Sequence, residues 1–224
     1  MKKQTLLLIA IAALFTQSCK LDAPEIETSD SSGGTKSDSY MPLTSGSYWT
    51  YNNVISGMAP DTITIRVTGE TTTVNGKLYH NITSTSKAHG STAGLYYYGN
   101  HIAVLRANTI VAGLTLDFQF LNDTTAVGHT WTARPTDNGL VNGVPGRLTG
   151  KVIEKGVSKT IGGHTFTDVI NTQIDLEYDL LGSGFESYGT YHFFVAKGVG
   201  LIEIDSEAFG AEIGKERIID FSIK

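Results

Sequence analysis

From Tyr40 onward, hydrophobic and polar residues follow one another with a period of two. Ile63, Ile65 and Val67 alternate with Thr62, Thr64 and Arg66, and Leu114, Leu116, Phe118 and Phe120 alternate with Thr115, Asp117 and Gln119. The longest run sets Ile170, Thr172, Ile174, Leu176 and Tyr178 against Asn171, Gln173, Asp175, Glu177 and Asp179. Tyr191, Phe193, Val195, then Ile202 and Ile204, then Ile219, Phe221 and Ile223 continue it. A strand with one apolar and one polar side belongs to an antiparallel sheet, because a parallel sheet is covered on both faces and reads as continuously apolar. Turn-forming pairs separate the runs at Asn75-Gly76, Gly99-Asn100, Asn142-Gly143 and Gly162-Gly163. No amphipathic helix of any length is visible; Ser206 to Lys215, interrupted by Gly210 and Gly214, reads as a loop or hairpin. The pattern predicts an all-β fold, an antiparallel curved sheet or half-barrel-like meander of about ten to twelve strands, with a two-sheet sandwich as the alternative.

The same features occur twice in the same order. Gly46-Ser-Tyr-Trp49-Thr50 returns as Gly128-His-Thr-Trp131-Thr132, at an offset of 82. The turn and strand Thr73 to Ile82 return as Thr160 to Val169 at an offset of 87, and Leu95-Tyr96-Tyr97-Tyr98 has a counterpart in Tyr191-His192-Phe193-Phe194 near 96. Offsets that grow by small insertions are what two similar halves, about 40–122 and 123–224, would give.

The N-terminus reads differently. Lys2 and Lys3 precede an apolar run of ten residues, Leu6 to Phe15, and then Thr16-Gln17-Ser18-Cys19. At about 1.5 Å per residue the run covers roughly half of a ~30 Å hydrocarbon core, so residues 1–18 read as an export signal and not as a permanent span. Cys19 is the sole cysteine, which excludes an intramolecular disulfide framework and any cysteine-based zinc or iron–sulfur centre. Its position after the small Ser18 resembles the lipobox of bacterial lipoproteins. That resemblance implies a diacylglycerol thioether on Cys19, further acylation of the new N-terminus by a fatty acid such as palmitate, and attachment to a membrane. Residues 20–39 carry five acids, two lysines and no aromatic residue; they read as a flexible tether reaching roughly 25 Å, followed by one β domain over 40–224.

Removal of the signal leaves 15 bases against 22 acids, a net charge of −7. With no basic cluster, nucleic acid is a poor partner. The segment Tyr40-Met-Pro-Leu-Thr-Ser-Gly46-Ser-Tyr-Trp49-Thr-Tyr51 resembles the opening of Bacteroidetes-type cell-envelope lipoproteins, and Ala196-Lys-Gly198-Val199-Gly200-Leu201 resembles their closing strand. The resemblance implies an outer-membrane lipoprotein, with the periplasmic and surface-exposed sides both open. It carries no catalytic residues over, and some relatives resemble the curved half-barrel of lipoprotein carriers.

Searching for chemistry returns little. There is no G-x-S-x-G, H-E-x-x-H or phosphate-binding loop, no cofactor is implied, and the six histidines are scattered singly. His164 and Asp168 lie roughly 13 Å apart by strand rise, too far to share a metal. Asp175 and Glu177, on one strand face with Asp179, are the carboxylates a hydrolase would use. Trp49, Tyr96, Tyr98 and Trp131 are the candidates for stacking an apolar or glycan ligand. Asp61-Thr62-Ile63 and Asp123-Thr124-Thr125 resemble the O-glycosylation acceptor of Bacteroidetes. The expectation is a lipid-anchored, non-enzymatic envelope protein that binds an apolar or glycan ligand or a partner protein through its curved sheet, with an envelope hydrolase as the alternative.

Overall fold

The computed structural model of the chain describes residues 38–108 and 114–224. The signal segment, Cys19 and residues 20–37 of the tether lie outside the described residues. Thirteen strands make up the described chain: β1 Tyr48–Ile55, β2 Asp61–Val74, β3 Lys77–Ser86, β4 Gly90–Gly99, β5 Ile102–Asn108, β6 Thr115–Asn122, β7 Thr130–Ala133, β8 Leu140–Val141, β9 Val144–Ile161, β10 His164–Tyr178, β11 Glu186–Ala196, β12 Gly200–Ala208 and β13 Ala211–Ser222. The strand beyond the expected twelve is accounted for by β8, a two-residue ladder on β9 too short to leave a periodic signal.

All of them belong to antiparallel ladders, in the order β6-β5-β4-β3-β2-β1-β13-β12-β11-β10-β9-β7. The sheet is one continuous curved surface instead of a two-sheet sandwich. It is nearly closed: its edge strands β6 and β7 approach each other where the Asp117 amide donates to the Pro135 carbonyl at 2.8 Å. Each half of the chain is a meander, and the pairing of β1 with β13 joins them.

The alternating positions face inward as expected. Ile63, Ile65, Val67, Ile170, Ile174, Leu176 and Tyr178 are buried, and the aromatic rings meet across the interior. Phe120 stacks on Phe193 at 5.1 Å between ring centres and meets Tyr96 edge-on at 6.3 Å, while Phe118 meets Tyr191 at 5.4 Å. Such pairs add to the area term that a buried ring contributes. One apolar row departs from the simple alternation. Ile219 is an extra residue on β13, between the pairs Tyr51–Ile218 and Thr50–Asp220. This bulge turns Ile219 outward, and Ile218 takes the core position.

The hairpin turns are mostly where the sequence puts them. Asn75-Gly76, Asn142-Gly143 and Gly162-Gly163 have positive φ at both residues, the backbone of a two-residue hairpin that matches strand twist. The turn expected at Gly99-Asn100 is instead Asn100-His101, one residue later, because Gly99 still pairs with Ile102. Ser206 to Lys215 is a hairpin that turns at Phe209-Gly210.

Thr172 closes the interior. It is completely buried and its hydroxyl donates to the carbonyl of Phe120, on the edge strand β6, at 2.5 Å. Thr172→Val retains the volume and leaves that carbonyl without its partner. It should lower the unfolding free energy by about 1–3 kcal/mol, while Thr172→Ser should recover part of the loss; urea denaturation of both variants measures this.

Candidate functional site

The aromatic residues singled out by sequence are spread over three strands. Trp49 on β1 is buried; its indole lies over Gly200 and donates from Nε1 to the Val199 carbonyl at 2.6 Å. Trp131 on β7 is half-buried and lies over Gly150, the residue directly opposite on β9, where a Cβ would fall 2.2 Å from the ring. Both tryptophans therefore occupy space that a glycine on another strand leaves free. Tyr96 on β4 is buried against Phe120, whereas Tyr98 is half-buried and donates its hydroxyl to Asp123, which His101 also contacts at 2.8 Å. Burial, reinforced at Tyr98 by the neighbouring Asp123 carboxylate, pushes both phenols well above their ordinary range. The four rings do not form one stacking platform.

The strand carboxylates are held by neighbours. Asp175 accepts from the Thr190 hydroxyl at 2.6 Å and from the Gln173 amide, and Glu177 accepts from Arg147 Nε at 2.6 Å and the Thr149 hydroxyl at 2.8 Å. Asp179 accepts from the Gly184 amide. Among the described residues, no three His, Cys, Asp or Glu side chains are grouped to hold a metal ion. Of the Asp-Thr positions, Thr124 is exposed and Thr62 half-buried.

Two long hairpins cover the outer face of the barrel. Beyond Gly69 and Gly156, whose positive φ bends the strand, β2–β3 and β9–β10 each leave their ladder and cross the strands that follow them. In the first, Tyr79 packs on Tyr97 at 5.5 Å and Asn75 donates to Asp137, which with Asp117 pairs Arg106. In the second, Lys159 sits 3.0 Å over the Phe194 ring and pairs Glu203, which Arg217 also pairs. Arg106 and Asp117 are direct cross-strand partners on β5 and β6, as are Glu203 and Arg217 on β12 and β13. The two covered clusters occupy corresponding places with opposite charge order. Sequence offered no sign of them, since each joins residues 30 or more positions apart through a bend that periodicity does not register.

The two ends of the barrel differ. At the end where β1 begins, the chain enters as Ser39–Leu43: the Ser39 carbonyl accepts from the Gly198 amide at 2.8 Å, and Met41 and Leu43 are buried. The G-x-x-W turns lie at this end with the same bonds. The amides of Gly46 and Gly128 donate to the Val67 and Val152 carbonyls at 2.9 and 2.8 Å, and the Val67 and Val152 amides donate back to Ser47 and His129.

Two solved structures share this architecture. A protein assigned as a lipoprotein from Parabacteroides distasonis superposes with a TM-score of 0.52 at 10% identity, over 84% of this chain and 100% of that one. An exported protein with a YmcC-like fold from Bacteroides fragilis superposes with a TM-score of 0.50 at 9% identity, over 81% of this chain and 97% of that one. The likeness is one of fold. No family model matches the chain, and no curated protein matches it.

Within that fold, one buried carboxylate stands out. Glu216 on β13 lies between Asn53 and Ile204, is 5% exposed, and its Oε1 has no hydrogen-bond partner among the described residues. Burial pushes it up to about 7, and its charge bears on the phenols of Tyr51 and Tyr96. The polar run Gly214 to Arg217 reads as a solvated strand end, so the sequence gives no hint of this burial.

The carboxyl is easier to protonate folded than unfolded. The stability it contributes is therefore complete below its ordinary value of 4.5 and is lost as the pH rises through about 7. The loss amounts to roughly 3 kcal/mol at 1.36 kcal/mol per unit. Glu216→Gln should flatten the fall in melting temperature between pH 5 and pH 8; thermal denaturation of both proteins across that interval checks it.

Proposed function

We propose that this chain is a lipid-anchored protein of the bacterial cell envelope that works by binding a partner protein at its surface, without catalysis. The lipobox-like Ser18-Cys19 supports the anchor, and the lipoprotein and exported-protein assignments of the two structural neighbours support an envelope location. The observation that carries a surface role is the packed interior: Tyr51, Tyr96, Phe120, Leu148, Ile170, Ile174 and Leu176 are all buried within it. Aromatic rings stacked at 5.1–6.3 Å fill the space where a lipocalin-like barrel would hold a small apolar ligand. Asp175 and Glu177, tied to Thr190 and Arg147, serve the sheet in this reading.

The recurrence of the G-x-x-W turn with its hydrogen bonds, and of the folded-back hairpin with its ion cluster, supports an origin by duplication of a half-barrel. The outer membrane is the favoured site of anchoring, with Cys19 acylated and palmitate among the chains carried.

Cys19→Ser in the full-length protein tests the anchor. Intact-mass analysis should show loss of the acyl mass, and the protein should move from the membrane to the soluble envelope fraction. A variant that stays with the membrane at unchanged mass overturns the reading.

A further inference from the structure

Several of the exposed apolar side chains gather at one end of the barrel. Leu181, 89% exposed, and Phe209, 67% exposed, project from the β10–β11 and β12–β13 connections, Met58 from the neighbouring β1–β2 connection, and Leu140 from the short strand β8 between β7 and β9. In sheet order these are consecutive turns at the end of the barrel opposite Ser39–Leu43. Contacts join them: Phe209 meets Tyr188 edge-on at 5.9 Å, and the amide of Ser56 donates to the Ile213 carbonyl at 2.9 Å, holding the β1–β2 turn beside β13. The β3–β4 turn at the same end is Lys87-Ala88-His89 and breaks the arc. Neighbouring exposed apolar side chains on consecutive turns are the kind of patch that marks an interaction site.

Charge restricts what can cover it. Asp179, Glu186 and Glu207 flank Leu181 and Phe209 and make no ion pair within 4 Å among the described residues, while Arg147 and Lys215 are already paired, with Glu177 and with Asp205 and Glu212; the exposed bases Arg134, beside Leu140, and Lys87, in the β3–β4 turn, stand at the two turns that bound the arc. An acidic fringe repels an anionic lipid surface, and it repels a second copy presenting the same arc across a two-fold axis. We propose that this arc docks an envelope protein that presents an apolar knob ringed by lysine or arginine. This rests on the anchored reading above. The chain enters the barrel at the far end, so the arc is not the end at which the anchored segment joins the domain.

The test places a photo-cross-linking residue at Leu181 or Phe209 in the full-length protein in its own cells, with Leu78, exposed on the folded-back β2–β3 hairpin, and Val127, exposed at the end where β1 begins, as controls. The expected result is a protein adduct from positions 181 and 209 and not from 78 and 127. Its yield should fall about tenfold or more in high salt and in the triple variant Asp179→Lys, Glu186→Lys, Glu207→Lys, as the loss of several fringe charge pairs requires. An unchanged thermal melt shows that the triple variant folds. Adducts with lipid alone, adducts of twice the chain mass, an adduct indifferent to the charge reversal, or equal yields from the arc and the controls would each overturn the proposal. Fractionation of Cys19→Ser reads the anchor separately, so failure at the arc with an intact anchor overturns only the docking surface.

Discussion

The barrel depends on the pairing of its first strand with its last. β1 and β13 run side by side over eight residue pairs, from Tyr48–Ser222 to Ile55–Gly214. Without that ladder the chain is two open meanders, each with long unpaired edges of the kind that invite association with other chains. With it, the two halves share one curved surface, and the remaining edges, β6 and β7, come close enough for Asp117 to donate to Pro135. The Ile219 bulge is part of the same arrangement, since the extra residue places Ile218 in the core and Phe221 opposite Trp49.

Closure imposes a cost on the outer face that the two folded-back hairpins offset. Strands β4–β6 and β11–β13 carry Tyr97, Phe194 and direct cross-strand ion pairs on the side away from the core. Each hairpin shields that side and brings a further charged partner, Asp137 through Asn75 in one half and Lys159 in the other. Glu203, buried with two cations, illustrates why the cover and the charges go together: a buried ion is tolerated only with partners in place, and removing one is expensive. Asp117 shows the same tension, its burial raising it against the opposing pull of Arg106.

With the interior packed, what the barrel presents is its outer face and two unlike ends. One is occupied by its own N-terminal segment, with Met41 and Leu43 buried. The other holds an uncovered apolar arc within an acidic fringe. Glu216 belongs to neither. It is a buried carboxyl in the wall whose Oε1 has no partner among the described residues, and its burial raises it toward neutrality.

The sequence by itself determined the local conformation. Period-two alternation named the core side of β2, β6 and β10, and Asn-Gly and Gly-Gly pairs placed three of the tight turns, because strand facing and turn geometry depend on adjacent residues. The recurrence of G-x-x-W was also legible, as was the lack of any long amphipathic helix. What only the tertiary structure decided lies where distant segments meet. That the meanders close into one sheet, that Trp49 and Tyr96 are buried in it, that β2–β3 and β9–β10 turn back across the outer face, and that Glu216 is enclosed all follow from contacts between residues tens to more than a hundred positions apart. Bulges such as Ile219 shift a strand's facing by one residue, and periodicity cannot register them. The gathering of Met58, Leu140, Leu181 and Phe209 at one end has the same origin: each lies in or beside a turn far from the others in the chain, and strand order makes them neighbours.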